Sequence, residues 1–177
     1  ADERLSEAIE TTSSLLTEVM EEVGMGLAPL GEEQAEIVHR AMAGSLLRTE
    51  SALGLMARMA GHPQHARRHL ARALHLATLV DDVGSECKAM RRLGMLALQS
   101  GDEARALDLF TTSANQPTNR DADAVPSMVL AAIASSLTGD ADAATMWVEK
   151  ASKRLMEDPS LGSSMLERAG KALLAID

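Results

Sequence analysis

A chain of 177 residues fits one ordinary domain with a sizeable core. Hydrophobic residues make up 46% but aromatics only 1%, so Ala, Leu, Met and Val must supply the packing, and an all-α fold is expected. The net charge is −9, no apolar run of 18 residues occurs and Cys87 is the only cysteine. Those facts argue against direct nucleic-acid binding, a membrane span, an internal disulfide and a CxxC site, and with no basic-then-apolar leader visible the chain is expected to be soluble and cytoplasmic.

The charge falls in blocks. Residues 1–36 carry ten acids against Arg4, residues 37–92 nine bases and four acids, and residues 93–177 seven bases and twelve acids. In chain order, residues 2–23 place Leu5, Ile9, Leu16, Val19, Met20 and Val23 near one face of an acidic amphipathic helix. GMGLAPLG at 24–31 is a break. A helical pattern resumes at Glu32 and runs to Met59, with Gly44-Ser45 as its one point of interruption, so that one helix and two are both open. Residues 1–46 are expected to be an acidic helical arm or cap packed on the first repeat.

From residue 47 the chain repeats. Gly61, Gly101 and Gly139 stand 40 and 38 residues apart, each opening a turn. Ala66, Ala106 and Ala144 come five residues later, then Leu70, Phe110 and Val148, then Ala73, Ser113 and Ala151. Spacings of four and three put each set on one helical face, a seam in which the small residue admits a neighbouring helix and the large one fills the space beside it. Seven residues before each glycine is a small residue, Gly54, Gly94 or Ala132, and Gly170 lies 38 residues after Ala132. Three helical hairpins over 47–158 and a capping helix over 159–177, one compact unit overall, are therefore expected. A cap is what a solenoid needs, although a start at Ala1 without Met equally fits a piece of a longer protein.

Leu53-Gly54 and Leu93-Gly94 in first helices, the turn glycines, and the Ala, bulky residue and small residue of second helices resemble the tetratricopeptide repeat. The resemblance covers roughly 47–177. Three features differ from the common pattern: Glu50, Met90 and Met128 stand where that family has Trp and Ala57, Ala97 and Ser135 where it has Tyr; proline is not at the usual closing position but later, at Pro159; and the period is 38 to 40 residues rather than about 34. The resemblance implies a right-handed α-solenoid of antiparallel hairpins whose concave groove is lined by first helices and receives a peptide or partner helix. In that register the lining residues are Arg48, Ser51, Leu55, Arg58, Met59, Lys88, Arg91, Met95, Gln99, Val129, Ile133 and Leu137, basic at the start and apolar further on. The positions that clamp a C-terminal carboxylate in chaperone-binding members fall on Ser51 and Leu55, which disfavours that partner class.

Other chemistry is sparse. His62, His65 and His69 have metal-compatible spacing, but the repeat register turns His65 and His69 outward and leaves the set without a completing Cys or Asp, so no metal site is expected. Arg67, Arg68 and Arg72 read as a charged outer face. AGKALL lacks the rest of a phosphate loop, and no HExxH, G-x-S-x-G or dinucleotide motif occurs. The expected function is non-catalytic and cofactor-free: binding of a protein or peptide, acidic or amphipathic, by the regulatory part of a signalling or transcriptional protein. A small-ligand sensor enclosing its effector is the alternative. The acidic helix at 2–23 is expected either to compete for the basic groove entrance or to mediate a homodimer.

Overall fold

The computed structural model describes Glu18, Glu21 and Glu22, residues 32–117 and residues 121–162. Among these are six long α-helices and no strand: α1 Glu32–Met59, α2 Pro63–Leu79, α3 Val83–Gln99, α4 Glu103–Asn115, α5 Asp121–Leu137 and α6 Ala141–Glu157. The chain is all-α, built of antiparallel hairpins α1/α2, α3/α4 and α5/α6. Helix α1 passes through Gly44-Ser45 without a break, so residues 32–59 form one helix of 28 residues, about 42 Å long at 1.5 Å per residue. The expected boundary between 46 and 47 falls inside it. Most of the expected arm, the break at 24–31 and residues 163–177 lie outside the described residues.

One device ends four of the helices. Gly61, Gly101 and Gly139 have φ of 78°, 74° and 83°, the left-handed conformation glycine adopts without a side-chain penalty. At each, the next residue's N–H reaches back five positions, as His62 to Ala57, Asp102 to Ala97 and Asp140 to Ser135, closing the helix end with bonds of 2.8–2.9 Å. The fourth instance has no glycine. Asp81 takes φ 56° and Asp82 N–H bonds Ala77 C=O at 2.9 Å.

The residue after three of these four turns caps the next helix. Asp82 accepts from Ser85 N–H at 3.0 Å, Asp102 from Arg105 N–H at 3.2 Å and Asp140 from Ala143 N–H at 2.9 Å, satisfying donors that a helix start leaves unpaired. Helix α2 instead begins with Pro63, which has no N–H to satisfy.

The helices group into two compact units divided between Ala89 and Met90, within α3. In the first, Gly54 of α1 meets Leu70 of α2 so closely that an added Cβ would stand 2.7 Å from the Leu70 side chain. Leu47 packs with Ala73 and Ala77, flanked by Leu76 and Val80. In the second unit, Gly94 of α3 meets the fully buried Phe110 of α4, and the core continues through Val125, Met128, Ala131, Ala134, Trp147 and Leu161. Both glycine contacts fit the expected seam.

The third hairpin departs from it. Val148 is 54% exposed, and Trp147, 5% exposed, fills the inward place together with Ala151, while Ala144 is only partly buried. The inward large residue thus comes eight positions after Gly139, whereas Phe110 comes nine after Gly101. A one-residue shift turns a helix face by about 100°, and burying the larger indole outweighs burying valine.

Candidate functional site

The first-helix residues fall into three groups. On α1, Arg48 and Met59 are exposed and Ser51, Leu55 and Arg58 half-buried; Arg48 donates to Ser45 Oγ at 3.0 Å. On α3, Lys88 and Gln99 are exposed. Arg91 and Met95 are drawn inward: Arg91 donates to Ser127 Oγ of α5 at 3.2 Å, and Met95 packs on the core of the second unit. On α5, Val129, Ile133 and Leu137 are 38%, 48% and 53% exposed. Their spacing of four makes an apolar stripe along one side of the helix; Val125, one turn before Val129 on the same line, is buried, as are Ala131 and Ala134 on other sides.

Each substituted aromatic position is buried: Glu50, Met90 and Met128 in the first set, Ala57, Ala97 and Ser135 in the second. Met90 and Met128 are apolar replacements, but Glu50 is ionic. Its carboxylate only accepts, so the His69 Nδ1–H donates to Oε2, at 2.7 Å, while Arg72 lies 3.6 Å from Oε1. His69 is therefore buried, not outward as the register implied. The buried carboxylate needs a donor, and the imidazole one turn before Ala73 supplies it. His65 remains half-buried beside Arg68. In the second unit, Ser113 and Ser127 are fully buried with hydroxyls 2.7 Å apart, which carries the Arg91 contact into the core as a polar chain.

A concavity that no sequence motif marks opens in the second unit. This cleft of about 580 Å³ lies between the end of α4 (Ala114, Asn115, Gln116), Met128 of α5 and Trp147, Lys150, Lys153, Arg154 and Glu157 of α6. The Lys150 ammonium sits 4.4 Å from the centre of the Trp147 ring, a cation–π contact. Lys153 lies 4.0 Å from Glu157. Three cations within five residues beside the chain's single Trp was the available signal, hidden because residues 93–177 are acidic as a block.

With the geometry in place, the likeness to solved structures can be stated. The structure is similar to the tetratricopeptide-repeat domain of Arabidopsis FLU, with a TM-score of 0.57 and 21% identity over 66% of this chain and 99% of that one. The fold is tetratricopeptide-like. No family model matches the chain, and no curated protein does. Among the described residues no helix is long and apolar enough to cross a membrane.

Proposed function

We propose that this chain is a non-catalytic, cytoplasmic protein- or peptide-binding module, the regulatory part of a signalling or transcriptional protein, and that it recognises its partner through the first-helix faces of its hairpins. The observation that carries the reading is the stripe Val129, Ile133 and Leu137 on α5. Large apolar side chains left half in water at helical spacing suit an amphipathic segment laid along the helix. Burying the remaining exposed half of Ile133 and Leu137 is worth about 1 kcal/mol each.

Selection of a random peptide library against the full chain, with counter-selection against an Ile133→Asp, Leu137→Asp variant, tests the proposal. Enriched peptides are expected to be amphipathic and to lose at least about tenfold in affinity for the variant, which forfeits apolar burial and places carboxylates in the contact. Peptides that bind both forms equally refute the assignment.

A further inference from the structure

We propose that the cleft bounded by α4, α5 and α6 is a second recognition site, for a short acidic peptide segment, separate from the first-helix faces. Its charge is the first argument. Lys150, Lys153 and Arg154 line it on a chain of net charge −9, so the cleft is a local concentration of positive charge where acids otherwise prevail. A volume of about 580 Å³ lies within the range of ligand sites, roughly 300–1,000 Å³. Ala114 and Met128 supply an apolar floor, and the amides of Asn115 and Gln116 offer both donors and acceptors at the edge.

The kind of anion is set by the same groups. A nucleotide base needs an open aromatic face, but the Trp147 ring is buried and Lys150 already lies over it. A compact phosphate favours helix N-termini, where backbone N–H groups converge. This cleft instead collects the C-terminal end of α4 and the C-terminal half of α6, so no helix N-terminus turns its N–H groups toward it. The cations are spread along about 6 Å of helix from Lys150 to Arg154, a spacing suited to several single carboxylates on an extended backbone. Glu157 already shows the interaction: it meets Lys153 as an exposed pair, which is weak and which a ligand carboxylate replaces. Glu157 is thus a built-in competitor for the site.

Trp147 is the only tryptophan in the chain, so all tryptophan fluorescence arises at the wall of this cleft. The probe is a blocked peptide with two glutamates on each side of a leucine, titrated into the full chain at low salt, with its glutamine analogue and inorganic phosphate as controls. Expected is a saturable change for the glutamate peptide that weakens as salt rises and is absent with both controls. Charge reversal of the exposed Lys153→Glu and Arg154→Glu should weaken binding about tenfold or more in protein that circular dichroism shows to be folded, and Glu157→Gln should tighten it severalfold. Ile133→Asp with Leu137→Asp should leave it alone, so this site and the first-helix reading fail separately. No saturable response, equal binding of phosphate, or binding that survives the charge reversal overturns the proposal.

Discussion

Gly94→Ala adds one methyl group where the structure leaves no room for it. A Cβ built at Gly94 overlaps the Phe110 ring at Cε1 and Cζ, and the ring is fully buried. Two effects compete. Replacing glycine by alanine inside a helix is favourable by about 1 kcal/mol, whereas overpacking a rigid core costs about 1–3 kcal/mol. The net expectation is a loss of up to about 2 kcal/mol. Gly44 supplies the comparison within the same molecule: it lies inside α1 with nothing within 4 Å of an added Cβ, so Gly44→Ala should stabilise by about 0.5–1 kcal/mol. Trimming the ring isolates the steric part. In a Phe110→Leu background, Gly94→Ala should become neutral or stabilising, a coupling of about 1–3 kcal/mol in a double-mutant cycle. Urea unfolding monitored by Trp147 fluorescence, which reports the unit holding both residues, measures the cycle. An effect of Gly94→Ala that is the same with Phe110 and with Leu at 110 would refute the close-approach argument.

Removing one partner of the buried Glu50–His69 pair should be costly: Glu50→Ala leaves the imidazole N–H without its acceptor and should cost about 3 kcal/mol, while Glu50→Met with His69→Leu should recover most or all of it, as read from circular-dichroism melts. The Asp82 carboxyl is held below the usual carboxylate range by the Ser85 hydroxyl and then the Ser85 N–H, against a burial effect that raises it, with Lys88 nearby. A depressed folded-state value means its stabilisation is present above the unfolded value near pH 3.9 and is lost as pH falls through the folded one. The stability gap between the wild type and Asp82→Asn, which keeps an acceptor but does not titrate, should therefore be steady near neutrality and narrow below about pH 4; a gap that widens there contradicts the sign. Asp81→Gly should stabilise by about 0.5–1 kcal/mol by relieving a left-handed non-glycine residue, since the Arg40 contact it gives up is long at 3.8 Å and exposed. Gly101→Ala, at φ 74°, should shift the melt the opposite way.

Turns and seams were legible because backbone geometry restricts their chemistry. Gly61, Gly101 and Gly139 had to be glycine for a relaxed left-handed cap, and Gly54 and Gly94 had to be small for helices to meet over Leu70 and Phe110. The fourth cap leaves no mark in the spacing of glycines because Asp81 fills it. Trp147 was missed for another reason: positional matching counts residues from Gly139, whereas a helix rotates to bury its largest apolar group, and Val148 lost that competition. Glu50 and His69 are apart by 19 positions, a separation at which no local spacing rule links a buried acid to its donor. The cleft on α6 was hidden by averaging charge over a block much longer than the turn that holds Lys150, Lys153 and Arg154.

The first-helix assignment is tested most directly by methyl NMR of the full chain with a peptide selected from the random library. The Ile133 δ1, Val129 and Leu137 methyls should shift most and show intermolecular contacts to the peptide's apolar residues, with Leu70, in the α1/α2 seam, unmoved. Contacts confined to second-helix residues such as Val148 and Met156, with the α5 methyls unchanged, would overturn that assignment.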